Sequence, residues 1–204
     1  MSSLFPMFGR LAGRRCLVVG GGPVAEGKVE GLLASEAIVV VVAPEVTEKI
    51  AAWAREQRLV WHAREFQPSD LDGSFLVIAA TGAGAVNESV FREAEARGIL
   101  CNAVDEPERC HFFYPAVVRR GPLQIAISTG GLSPALSSRL RQELEEQFGP
   151  EYGRWIEELG ALRQKAFARR VDPRRRTRLL HRLASRQGYE RFLRTERRRA
   201  GGSA

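Results

Sequence analysis

The chain has 204 residues, enough for one substantial core and a smaller appendage, and 44% of them are apolar, an ordinary share for a globular protein. No stretch approaches the roughly 18 uninterrupted apolar residues of a membrane span, and the opening MSSLFPMFGRLAGRR lacks the basic-then-apolar order of a secretory signal, so a cytoplasmic protein without a membrane partner is expected. The net charge of +7 is uneven, with 16 Lys/Arg against 6 Asp/Glu in residues 151–204 (+10) and a balance of −3 in residues 1–150.

Residues 14–103 alternate short apolar runs with segments whose apolar residues recur at three- and four-residue spacing. Strands are expected at Cys16–Val19, Ile38–Val42, Leu59–Trp61, Phe75–Ala80 and Ile99–Ala103, and helices at Val24–Ser35, Val46–Gln57 and Val86–Arg97. Near-continuous apolar strands alternating with helices mean an α/β fold whose parallel sheet is covered on both faces.

At the first strand-to-helix junction stands Gly20-x-Gly22-x-x-Ala25, the context a dinucleotide fingerprint requires. The first glycine permits the turn, the second lets backbone approach a pyrophosphate, and Ala25 lets helix and strand pack closely. Pro23 sits where a missing N–H costs little, and the remaining amides, that of Val24 included, favour an anion. Glycine-rich turns that bind nothing also look like this. An acidic residue is expected about 20 positions on, and Glu45 falls there. Because Val42-Ala43-Pro44 precedes it, Glu45 either contacts the ribose or opens the next helix. Lys49 is the nearest cation that could greet a 2′-phosphate, and it lies a helical turn away, so NAD is preferred to NADP.

The fourth strand ends in Ala79-Ala80-Thr81-Gly82, with Asn87 opening the following helix. Either this is a turn with a polar cap, or Thr81 and Asn87 line the nicotinamide side of the crevice. After the fifth strand, Cys101-Asn102-Ala103-Val104-Asp105 brings a carboxylate to where a proton acceptor is wanted beside a hydride acceptor. Asp105 is the candidate base, with an acidic loop capped by Asp105 as the structural alternative. Cys16, Cys101 and Cys110 form no CxxC pair, and Cys110 beside His111 finds no second ligand pair, so no resident metal is expected.

Beyond Asp105 the pattern changes. Phe112–Ser128 reads as two strands around Arg119-Arg120-Gly121-Pro122, and Ser133-Pro134 starts a helix through Phe148 that Gly149-Pro150 stops. This hairpin is too small to stand alone, so it joins the first sheet or pairs with a second copy, and a homodimer is expected. Ser128-Thr129-Gly130-Gly131 is either a turn and cap or a set of amides for a substrate carboxylate. Helices are expected at 151–168 and 174–187, and Arg194–Ala204 reads as a frayed end. The tail's aromatics are scattered without the interleaving that base stacking wants, which argues against a nucleic-acid partner.

Taken together, GGGPVAEGK (20–28), APE (43–45), AAT with Asn87, CNAVD (101–105), FFYPA (112–116) and STGGLSP (128–134) resemble the precorrin-2 dehydrogenase / sirohydrochlorin ferrochelatase family, the siroheme synthase N-terminal module. The likeness runs through residues 4–150 in unbroken order and is specific as a set. It implies an NAD-binding Rossmann domain over residues 1–111, a small α+β dimerisation domain over 112–149 and a helical basic domain over 150–204. It implies NAD-dependent oxidation of precorrin-2 to sirohydrochlorin, with ferrous iron inserted in the same cleft by some members. The family's aspartate maps onto Asp105, and Pro23, Val24, Pro44 and Glu45 fall at cofactor positions; Asn102 and Ser128–Gly131 are the candidate substrate-binding residues. Where many relatives carry acidic residues after the strand-four threonine, this chain has Gly82-Ala83-Gly84. No fused methyltransferase domain fits within 204 residues, so precorrin-2 is expected to come from another enzyme. A basic helical tail suits a substrate ringed with carboxylates. The competing reading is a non-catalytic NAD-sensing module, which would keep the glycines and have no need of Asp105.

Overall fold

A computed structural model describes residues 4–201 and divides the chain into two compact units, Met1–Tyr114 and Pro115–Ala204. In the first unit, β1 (Arg15–Val19), β2 (Ile38–Val42), β3 (Val60–His62), β4 (Leu76–Ala79) and β5 (Leu100–Ala103) form one parallel sheet in the order β3-β2-β1-β4-β5. That order places a topological switch point between β1 and β4, where ligands of such sheets bind. β1 is central, Cys16 pairing in register with Val39 on one side and Leu76 on the other.

Cys16–Val19 are all buried because each face of β1 meets a helical layer. Cys16 and Val18 pack with Ala25, Val29 and Leu32 of α1 (Pro23–Leu33) and Ile50 and Trp53 of α2 (Glu48–Arg55). Leu17 and Val19 pack with Val90 and Ala94 of α3 (Gly84–Ala96) and with Leu71. Fully burying one such aliphatic side chain contributes about 1.5–3 kcal/mol, so these two layers dominate the unit's stability. Leu71 closes a 3-10 turn, Pro68–Leu71, that the apolar pattern did not announce. Asp70 organises that turn by accepting from the Gln67 N–H (2.8 Å) and pairing with Arg64, whose guanidinium is the main cause holding the Asp70 carboxyl below its ordinary pKa.

In the second unit, β6 (Ala116–Arg120) and β7 (Leu123–Ile127) form an antiparallel hairpin that turns at Gly121, φ +56°. It is followed by α4 (Pro134–Gln147), α5 (Glu151–Ala168), α6 (Pro173–Leu183) and α7 (Arg186–Gly201). Arg120 donates to the carbonyls of Phe148 (2.7 Å) and Glu145 (3.0 Å), satisfying acceptors at the end of α4. A Cβ on Gly153 would stand 3.0 Å from the Arg120 carbonyl, so α5 lies directly on the hairpin turn. Hairpin and C-terminal helices fall within one compact unit, Pro115–Ala204.

The tail differs from the sequence reading. Residues 194–201, expected to fray, continue α7, while 202–204 lie outside the described residues. Arginine is a good helix former, and Tyr189 anchors the helix: its ring lies 4.5 Å from Tyr152 and 4.9 Å from Trp155, and its hydroxyl donates to Glu151 at 2.6 Å. Arg154 on α5 pairs with Glu196, and Phe192 is buried. The expected helix 174–187 stops at Leu183, and the Ser185 hydroxyl accepts from the Gly188 N–H to begin α7.

Candidate active site

The turn between β1 and α1 contains three glycines with different reasons to be glycine. Gly20 has φ +121°, and a Cβ there would lie 2.2 Å from the Ala80 carbonyl oxygen; its N–H donates to Val42 O at 3.0 Å. A Cβ on Gly21 would lie 2.0 Å from the Glu45 carbonyl oxygen, and the Gly21 carbonyl accepts from the Thr47 N–H. Packing within the protein thus accounts for both. Gly22 is the N-cap of α1 with φ −79°, and a Cβ there would meet no atom within 4 Å. No contact and no backbone conformation within the protein demands glycine at this position, and the space in front of it is open.

No side chain caps α1, and Pro23 brings no N–H. The amides of Val24 and Ala25 therefore stand at the positive end of the helix without an intrahelical acceptor. Val24 is half exposed, whereas Ala25 is fully buried and lets α1 approach β1. The residues present fit a dinucleotide: bare backbone at Gly22, donors behind it and a helix dipole aimed at an anion.

Pro44 and Glu45 are exposed in the loop after β2. Thr47 is the N-cap of α2, so Glu45 lies before the helix, and its backbone is pressed against Gly21. Among the described residues the Glu45 carboxylate has no hydrogen bond or ion pair. Lys49 is engaged by Glu30 (3.2 Å) and Glu26 (3.5 Å) of α1.

At the end of β4, Thr81 and Asn87 are joined. The buried Asn87 side chain accepts from the Thr81 hydroxyl at 2.7 Å and donates to the Thr81 carbonyl at 3.2 Å. Its amide also donates to a Glu106 oxygen at 2.9 Å. Glu106 pairs in turn with Arg109, which reaches Glu88 on α3 at 3.4 Å. Asn87 therefore brackets the β4 end to the loop after β5. Sequence reasoning missed Glu106 and Arg109, which carry no signal beyond being charges in an acidic loop.

Asp105 stands in that loop, exposed, with φ +62°, a left-handed conformation that Asp tolerates better than most residues. The backbone around it is pinned. Val104 N–H donates to Ala79 O (2.9 Å), Glu106 N–H to Ala103 O (3.2 Å), and the Cys110 thiol to Ala103 O (3.1 Å). The carboxylate itself has no hydrogen bond or ion pair among the described residues, and the residue is exposed. Asn102 is buried, its amide donating to Phe112 O (2.8 Å) and Cys110 Sγ (3.3 Å), so much of its polarity serves the fold. Lys28 on α1, also missed, lies near enough for the Asp105 charge to act on it, and its Nζ is 3.7 Å from the Tyr114 ring centroid.

In the second unit, Ser128–Gly131 forms a turn that meets part of its own hydrogen bonding. Gly130 and Gly131 have positive φ, the Gly130 N–H donates to Ser128 Oγ, and the Ser133 N–H donates to Thr129 Oγ1. The Ser133 hydroxyl accepts from the Leu136 N–H, capping α4.

An NAD(P)-binding family model matches residues 7–116, and the model described as sirohaem biosynthesis protein central matches residues 120–147. The siroheme synthase of Methylobacillus flagellatus is 46% identical over 149 residues, 73% of this chain and 32% of that protein. Siroheme synthase 1 of Aeromonas hydrophila is 38% identical over 192 residues, 94% of this chain and 39% of that protein. The chain thus spans about a third of the length of the curated relatives it matches. Among solved structures, SirC, a precorrin-2 dehydrogenase, superposes with a TM-score of 0.80 at 29% identity, covering 94% of this chain and 98% of that one. With an NAD(P)-binding sheet, a sirohaem-type central segment and this structural neighbour matched along nearly its whole length, the chain belongs to the precorrin-2 dehydrogenase and siroheme synthase N-terminal family.

Proposed function

We propose that the protein oxidises precorrin-2 to sirohydrochlorin with NAD, one step in making siroheme. The observation that carries the cofactor half is Gly22, a glycine that no contact within the protein explains, in front of an uncapped helix start. When bound, the nicotinamide accepts a hydride from the substrate. The backbone of Gly22 and the amides of Val24 and Ala25 hold the diphosphate, and Thr81 and Asn87 border the nicotinamide side. Glu45, exposed and unpartnered, accepts from the ribose hydroxyls and repels a 2′-phosphate. Lys49 already holds two carboxylates and gives such a phosphate little welcome. These features support NAD over NADP.

Loss of hydride from a ring carbon must be accompanied by loss of a proton for the new double bond to form. Asp105, exposed and carried on a backbone pinned on both sides, takes that proton. Insertion of ferrous iron as a substrate would need the pyrrole N–H protons removed, a task the same carboxylate can perform. The hairpin supports a homodimer, because β6 and β7 form a two-stranded sheet whose outer edges pair with no other strand among the described residues.

Purified protein, NAD and precorrin-2 incubated anaerobically test the reading directly. NADH should appear by absorbance as precorrin-2 is consumed, and more slowly with NADP. Binding of NAD without any precorrin-2 oxidation would favour the NAD-sensing alternative instead. Ferrous iron added to the product tests chelation, and sedimentation at micromolar concentration tests the dimer.

A further inference from the structure

Lys28 sits on α1 one turn beyond the dinucleotide turn, half-buried, and it is the wrong residue to find there unless something pairs with it. Among the described residues it makes no hydrogen bond and no ion pair, and its close partner is the face of Tyr114, 3.7 Å from Nζ to the ring centroid. A cation over an aromatic ring gains about 0.5–2 kcal/mol, which offsets only part of the cost of drawing an ammonium out of water. Burial is accordingly the largest influence on its pKa and lowers it, against the raising fields of Asp105 and Cys110. Lys49 on α2 presents the contrast, since two carboxylates of α1 hold it.

The surroundings suit an anionic, flat ligand. Tyr114 keeps 45% of its surface exposed, leaving aromatic surface uncovered beside the ammonium. Asp105, close enough to influence Lys28, is the base in the reaction proposed above, and this inference rests on that reading. We infer that Lys28 is a substrate-binding residue whose ammonium pairs with one peripheral carboxylate of the tetrapyrrole, holding the macrocycle over Tyr114 with its reacting edge at Asp105. A carboxylate arriving there supplies the direct ion-pair partner that Lys28 lacks among the described residues, in a setting less screened than open surface.

The test is steady-state kinetics of Lys28→Gln and Lys28→Arg with precorrin-2 and NAD, with NAD affinity measured separately by calorimetry. Lys28→Gln should raise KM for precorrin-2 about tenfold or more, equivalent to about 1.4 kcal/mol, with kcat and NAD affinity little changed. Lys28→Arg should recover most of the loss because it restores the charge. Unchanged KM in folded Lys28→Gln overturns the inference while leaving the reaction intact. So does a lower kcat at unchanged KM with a displaced pH–rate profile, which would make Lys28 a tuner of Asp105. Wild-type protein that binds NAD yet leaves precorrin-2 unoxidised would overturn the proposed reaction, and this inference with it.

Discussion

Two glycine-rich strand-to-helix turns in this protein are candidates for an anion in sequence, the first by a dinucleotide fingerprint and the second by composition alone, and their amides are used differently in the structure. At the start of α1 no side chain caps the helix, Pro23 removes one donor, and the space in front of Gly22 is open. At the start of α4, Ser133 caps the helix, while Thr129 and Ser128 occupy the neighbouring amides. The first turn leaves its donors uncapped, and the second spends several of them on itself. Glycine content announces a turn, but whether the turn binds depends on what the adjacent side chains do with the amides.

The largest effect tests whether chemistry lies beside the uncapped turn. Asp105→Asn should lower kcat by about 10²–10⁴-fold while NAD binding stays intact. Asparagine also tolerates the left-handed backbone at this position, so the fold should hold. Turnover at the wild-type rate would remove Asp105 from its role.

Next comes a contrast within the uncapped turn. Gly20→Ala meets both a strained φ and the Ala80 carbonyl, so it should destabilise by about 1–3 kcal/mol or more, read by thermal or denaturant unfolding. Gly22→Ala meets no protein atom, so it should cost no more than about 0.5–1 kcal/mol, as for an alanine at an N-cap, yet weaken NAD binding about tenfold, as calorimetry would register. Equal stability losses in the two variants would erase the distinction drawn between these glycines.

Asn87→Ala should cost about 1–3 kcal/mol of stability by removing a buried amide from its half-buried partners Thr81 and Glu106, and it should lower turnover as the Asp105 loop loosens. The smallest effect belongs to the self-capped turn: Ser133→Ala should cost about 1 kcal/mol in denaturant melts and leave NAD affinity alone. An effect on NAD affinity from Ser133→Ala would mean that the two turns are not the independent features they are taken to be.

The first unit was legible because its signals are local and repetitive. Apolar runs gave five strands, three- and four-residue spacing gave α1 to α3, and Gly20-x-Gly22-x-x-Ala25 marked the switch point. The strand expected at Leu59–Trp61 runs from Val60 to His62: Leu59 is apolar because it enters the core, not because it belongs to the ladder. What escaped depends on partners far apart in sequence. The links from Asn87 to Glu106 and from Lys28 to Tyr114 join residues on different elements, and no spacing rule encodes them. The helical end of the chain was missed for the same reason, since the anchor of α7 at Tyr189 lies against residues of α5.

The chain's tryptophans are Trp53, Trp61 and Trp155, two in the first unit and one in the second. Trp155 touches Tyr152 and Tyr189, so its emission senses the α5–α7 junction. Replacing Trp53 and Trp61 with phenylalanine would leave a single indole, a built-in optical probe with which melting of the C-terminal unit could be timed apart from the nucleotide-binding sheet.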